Sequence, residues 1–144
     1  RGYLDRPDAT AALMRGGWLH SGDLGRVDER GFVYVVGRLK DVVRRSGENV
    51  SPEEVEGVLR SHPAVRDVAV IGVPDAERGQ ELKAFVELVD RDAALPTEDL
   101  IAFCRERLSR HKVPRYFESV LSLPRSTSMR VQKNLLREGR AWEN

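Results

Sequence analysis

Ser51-Pro52-Glu53-Glu54 is the signal that most narrows what this 144-residue chain can become. Serine is a favoured helix cap, proline suits the first helical position, and Glu54, three residues past the serine, completes a capping box. Val55, Val58 and Leu59 follow at i, i+3 and i+4, so one apolar stripe runs along the helix until His62-Pro63 stops it. Residues 65–73 are dense in β-branched side chains and predict a buried strand ended by Pro74-Asp75. Leu82, Ala84, Val86 and Leu88 alternate with Lys83 and Glu87, the period of a strand with one face in and one face out. Pro96-Thr97 with Glu98 and Asp99 opens a second helix, in which Leu100, Cys104 and Leu108 recur every four residues. Residues 116–121 predict a further strand, 122–129 a loop, and 132–137 a last short helix.

Upstream of Ser51 the pattern changes. Residues 41–45 and 48–50 flank Ser46-Gly47, a small hairpin. Residues 32–36 alternate aromatic and β-branched side chains, and with residues 24–27 they bracket the turn Asp28-Glu29-Arg30-Gly31. Thr10 is the expected cap of a short helix over residues 11–14, broken by Gly16-Gly17, and residues 18–23 read as extended. The expected fold class is therefore α+β. It is a small domain with a two-stranded hairpin and a roughly three-stranded sheet packed by two to three helices. A trailing β segment of a larger domain precedes it. The boundaries follow: 1–37 as that trailing edge, 38–41 as a joint, and 42–144 as the small domain.

Composition excludes several classes. A net charge of +1 gives no global pull toward DNA or a membrane, and the longest apolar runs, such as Val68-Ala69-Val70-Ile71, are too short to span a bilayer. One cysteine, Cys104, leaves no internal disulfide and no multi-cysteine zinc cluster, and its place on an apolar stripe marks it as core. His20, His62 and His111 have no ligand spacing. The chain begins with Arg1 and no apolar leader, so the expectation is a piece of a longer, soluble, cytoplasmic protein. Charge is uneven, however. Between Arg105 and Arg140 ten basic residues face three acidic ones, either a solvated face or a surface that meets phosphates. Tyr116, Phe117 and Trp142 are too few to stack bases, which weighs against a nucleic-acid partner.

Several segments in order carry a resemblance. They are Trp18-Leu19-His20-Ser21-Gly22-Asp23, Gly37-Arg38-Leu39-Lys40-Asp41 and the run from Ser46 to Glu56, then His62-Pro63-Ala64-Val65, Gly72-Val73-Pro74-Asp75 and Lys112-Val113-Pro114. Together they resemble the carboxyl-terminal part of adenylate-forming enzymes, and the acyl-CoA synthetase branch in particular. The resemblance implies an acid–thiol ligase. A carboxylate attacks the α-phosphate of ATP to give an acyl-adenylate and pyrophosphate, and the thiol of CoA then displaces AMP. The small domain rotates between the two steps. Mg²⁺, the ATP phosphate loop and the acyl pocket are implied for the parent upstream of Arg1, so this stretch alone is expected to be inactive. No membrane span is expected, and the acyl group is not legible.

Residue by residue, the resemblance implies that Asp23 accepts hydrogen bonds from the ribose hydroxyls and that Arg38 reaches the same sugar. The plainer readings are a turn aspartate and a strand-end arginine. Lys40 falls at the family's hinge, where backbone dihedrals and not side-chain chemistry matter. Gly47 falls where backbone lies along the pantetheine arm of CoA, or is a plain hairpin glycine. Arg44 and Arg45, on the same hairpin, face the CoA phosphates or solvent. Family members close with Pro-Arg/Lys-Thr-x-x-Gly-Lys, whose lysine enters the active site for adenylation. Here Pro124-Arg125-Ser126-Thr127-Ser128-Met129-Arg130 puts Met129 at the glycine and Arg130 at the lysine, with Lys133 three residues on as a substitute only if the loop shifts. Arg130 keeps the charge but is larger and prefers forked contacts. A degenerate ligase domain that binds nucleotide or CoA without adenylating is the alternative, and a basic partner-binding module a more distant one.

Overall fold

The computed structural model describes residues 2–139. The chain divides into two compact units, Arg1–Lys40 and Asp41–Asn144.

In the first unit, helix α1 (Pro7–Leu13) begins on its proline, with Asp8 in the first turn. Thr10 does not cap it. It lies inside the helix, where its hydroxyl donates to the Arg6 carbonyl at 3.0 Å and accepts from the Tyr3 amide at 2.9 Å, the back-bonding that competes with a cap role. Strands β1 (Met14–Arg15) and β2 (Trp18–Leu19) form a minimal hairpin across Gly16-Gly17. Strands β3 (Asp23–Val27) and β4 (Val33–Arg38) pair antiparallel. Asp28 closes their turn by accepting from the amides of Arg30 and Phe32 and from the Tyr34 hydroxyl. No hydrophobic side chain of this unit is buried, and Trp18, Leu19, Val33 and Val35 are each more than 60% exposed. A single 3₁₀ turn, Leu39–Asp41, leads onward.

In the second unit, strands β5 (Val43–Arg45) and β6 (Glu48–Val50) make the expected hairpin. Helix α2 (Pro52–Arg60) starts where the sequence places it, yet the Ser51 hydroxyl does not cap; it donates to Glu53 Oε2 at 3.0 Å. Strands β7 (Val65–Asp75) and β8 (Gly79–Leu88) form one long antiparallel pair. Helix α3 (Thr97–Arg107) stops one residue short of the predicted stripe, since Leu108 is already extended. Strand β9 (Tyr116–Val120) runs parallel to β8, and helix α4 (Lys133–Arg137) ends the described part.

The hairpin and the three long strands are one five-stranded sheet, ordered β6-β5-β8-β7 with β9 also on β8. β7 occupies one edge of β8. β5 joins the other edge through Arg45 opposite Gly79, and β9 takes over from Lys83 opposite Tyr116. Sequence alternation could not reveal that join, because it rests on a single residue pair far apart in the chain.

Alternation along the strands then divides the core. Val43, Val50, Val68, Val70, Leu82, Ala84 and Val86 pack against Val55 and Leu59 of α2 and Leu100 and Cys104 of α3. Ala69, Ile71, Phe85 and Val120 face the other way, onto Leu123 and Leu136. Each fully buried aliphatic side chain contributes roughly 1.5–3 kcal/mol, so the second unit owns its stability. The free edge of β7 is covered by polar side chains of α2. Glu56 accepts from the Val70 amide at 2.7 Å, and Arg60 donates to the Val68 carbonyl at 3.3 Å.

Candidate functional site

Strand pairing brings Asp23 and Arg38 together. They are cross-strand partners in the β3–β4 ladder, with Arg38 Nε 2.6 Å from Asp23 Oδ1. Both side chains stay partly open to solvent, so the pair is a charged handle on a surface and not a core bridge. Ser21 steadies the approach to Asp23 by accepting from its amide at 3.2 Å. Lys40 is exposed in the 3₁₀ turn at the last position of the first unit.

Ser46 and Gly47 have φ of 51° and 86°, the two positive values of a type I′ hairpin turn. A side chain on Gly47 would meet nothing of this chain within 4 Å, so backbone twist and not crowding calls for glycine here. Arg44 projects from this hairpin into solvent, while its amide donates to Gln80 Oε1 at 2.8 Å.

Arg45 departs from the expectation of a phosphate-facing arginine. Its Nε and one terminal nitrogen each reach Glu81 at 2.8 Å, and its other terminal nitrogen donates to the carbonyls of His111 at 2.7 Å and Val113 at 3.3 Å. Glu81 is fully buried, so the guanidinium is drawn inward to neutralise it. Nothing in the local sequence distinguishes Arg44 from Arg45 except strand alternation, and that assigns them opposite faces.

Lys133 is also turned inward. Its Nζ lies 2.8 Å from Glu56 Oε1 and 3.8 Å from Glu53 Oε1, off the line of a well-formed hydrogen bond, so the attraction is chiefly Coulombic. It is not a free lysine waiting beside a loop.

Arg130 is the opposite case. The segment folds back on itself: Ser126 N–H donates to the Arg130 carbonyl at 2.8 Å, Met129 N–H to the Ser126 carbonyl at 2.9 Å, and Arg125 pairs with Val131 across the turn. Met129 adopts φ of 61°, the left-handed conformation that glycine takes freely and other residues pay for. The turn thus closes with a residue other than glycine in a left-handed conformation. Arg130 is exposed, and among the described residues no hydrogen bond or ion pair holds its guanidinium.

The basic carboxyl-terminal third is less charged than its sequence suggests. Arg107, Lys112, Arg115, Arg125, Lys133 and Arg137 are all ion-paired with acidic residues, four of them with partners upstream of residue 76 only. Arg140 and Trp142 lie outside the described residues. A broad phosphate-binding face is therefore not what these arginines make. Cys104 is buried on α3, and burial pushes its thiol up to about 11, which agrees with a core role.

This chain is similar to known proteins. The family model for the AMP-binding enzyme C-terminal domain matches residues 54–130. A long-chain-fatty-acid–CoA ligase of Escherichia coli O6:H1 is 43% identical over 137 residues, 95% of this chain and 24% of that protein. A crotonobetaine/carnitine–CoA ligase of Proteus mirabilis is 48% identical over 135 residues, 93% of this chain and 26% of that protein. Among solved structures, o-succinylbenzoate CoA synthetase (MenE) of Bacillus subtilis, in complex with the acyl-adenylate intermediate OSB-AMP, superposes with a TM-score of 0.88. It is 38% identical, covering 95% of this chain and 28% of that one. The α+β fold matches that of the carboxyl-terminal domain of adenylate-forming enzymes. The chain belongs to the AMP-binding enzyme C-terminal domain family. It spans about a quarter of the length of these curated relatives.

Proposed function

We propose that this chain is the carboxyl-terminal part of an ATP-dependent acid–thiol ligase that makes an acyl-adenylate and then a CoA thioester. In the first step a carboxylate oxygen bonds to the α-phosphorus of ATP as the bond to pyrophosphate breaks. In the second, the CoA sulfur bonds to the acyl carbon, its proton is lost, and AMP leaves. Asp23 and Arg38 hold the ribose: the carboxylate accepts from the hydroxyls, and Arg38 fixes its orientation from across the ladder. Arg130 supplies positive charge to the α-phosphate as negative charge develops and departs with pyrophosphate. Lys40 is the pivot about which residues 42–144 change face. The Gly47 turn, with Arg44, runs beside CoA. Residues 1–37 are the trailing edge of a larger nucleotide-binding domain, a reading supported by the exposed Trp18, Leu19, Val33 and Val35.

Among the described residues no three His, Cys, Asp or Glu side chains gather as a metal site. No helix of the described residues is long and apolar enough to cross a membrane.

The observation that carries the nucleotide assignment is the Asp23–Arg38 pair, because register alone brings together the two residues the sugar requires. Charge-assisted hydrogen bonds are worth roughly 1.5–3 kcal/mol each. In the full-length ligase, Asp23→Ala should therefore lower kcat/KM for ATP by about tenfold to a hundredfold, read by pyrophosphate release. An unchanged value removes Asp23 from the site.

A further inference from the structure

The turn that carries Arg130 is fastened at both feet, and the two fasteners differ. At the upstream foot Arg125 donates to Asp67 of β7, lies 3.6 Å from Glu87 Oε2 of β8, and gives its other terminal nitrogen to the Met129 carbonyl at 3.2 Å. At the downstream foot Gln132 N–H donates to the Pro124 carbonyl at 2.7 Å, and Lys133 then reaches across to α2. Its target, Glu56, is 4% exposed, and the same Oε1 also receives the Val70 amide while Oε2 receives Arg60. A carboxylate so buried holds a cation firmly, because neither charge has water to fall back on. Between the feet the turn is shaped by backbone bonds, by the Arg125 contact to the Met129 carbonyl and by the Ser126 hydroxyl. That hydroxyl accepts from the Arg130 amide at 3.3 Å and lies 3.0 Å from the Ser128 hydroxyl, and Met129 strains the turn. A strained turn keeps a left-handed residue only if its ends are fixed.

Resting on the ligase reading above, we propose that Lys133 is a positioning residue for adenylation. Its ion pair with Glu56 locks the downstream foot, so Arg130 meets the nucleotide on a turn that is already closed. Lys133 itself touches neither substrate nor nucleotide. The rate advantage is one of pre-organisation: the backbone that carries Arg130 need not be ordered at the moment of reaction.

Two measurements test this. In the 144-residue chain, Lys133→Met should speed amide exchange at Ser126, Met129 and Gln132 at least tenfold and leave the β8 amides protected. Lys133→Arg should restore protection. If Lys133→Met does not fold, Glu56→Gln, which keeps the acceptor for Val70 and removes the charge, should loosen the same amides. In the full-length ligase, with acetate, octanoate, palmitate and benzoate as probes, Lys133→Met should lower kcat for ATP–pyrophosphate exchange at least tenfold with KM for ATP within twofold. It should add no further loss once Arg130→Ala is present. Unchanged exchange at the turn, or an equal loss with and without Arg130, overturns the proposal and leaves the ligase reading standing. If Arg130→Ala leaves ATP–pyrophosphate exchange unchanged, the role of Arg130 fails and takes the proposal with it; if the wild type exchanges with no probe, the ligase reading fails as well.

Discussion

Met129 and Cys104 show how far a single residue can be read from its environment. Met129 stands at φ of 61°, where a β-carbon costs energy that glycine does not pay. Met129→Gly should stabilise the second unit by about 1 kcal/mol, part of the gain offset by the looser unfolded chain, as urea titration will show. The thiol of Cys104 is held near 11 by burial against a weaker pull from Arg107, so at pH 8 it is protonated as well as enclosed. Ellman's reagent should leave it unmodified in the native chain and label it fully in denaturant. The core role of Cys104 was legible because its neighbours repeat every four residues. Arg45 and Lys133 were not. A charged residue at the edge of a hairpin turn or at a helix start looks the same in sequence whether it faces water or a buried carboxylate. Only the fold brings Glu81 and Glu56 to them, from 36 and 77 positions away.

At the scale of elements, local signals served well and long-range ones did not. Pro52 and the Val55/Leu59 stripe set α2, β-branched density set β7, and alternation set β8. Thr10 and Ser51 show the limit of capping rules: each hydroxyl bonds elsewhere, Thr10 to the Arg6 carbonyl and Ser51 to Glu53, and neither accepts from a first-turn amide of its helix. The join of the β5–β6 hairpin to β8, and the ion pairs that fasten β7 to α2 and to residue 125, carry no local signature. Asp67 is the centre of that fastening. Burial alone would push its carboxyl up, but hydrogen bonds from Arg60 and Arg125 and from the Val68 amide outweigh it and hold it below the usual value. A carboxyl depressed in the folded state adds stability above its unfolded pKa of about 3.9 and loses it as pH falls through the lower, folded value. The unfolding free energy should therefore drop as pH is taken from about 4 downward, and Asp67→Asn should flatten that part of the profile while lowering stability at pH 7. Chemical denaturation from pH 7 to pH 2 checks both halves of the statement.

The whole chain is two units with different debts. The second closes its own core on both faces of a five-stranded sheet, whereas the first buries no hydrophobic side chain. The contrast supports the proposal of a joint near Lys40. The order of motifs along nearly the whole chain made the family legible; the replacement of glycine and lysine by Met129 and Arg130 left its chemistry open. The structure narrows the question, since the turn is closed, Lys133 is bound to Glu56, and Arg130 alone of the two projects into solvent. The direct measurement is the pair of half-reactions in the proposed full-length ligase, wild type against Arg130→Ala. Adenylate formation should fall by at least about a hundredfold, the scale set by losing one group that stabilises developing charge, while conversion of supplied acyl-adenylate to thioester stays within twofold. An adenylation rate that is the same in both proteins would contradict the account.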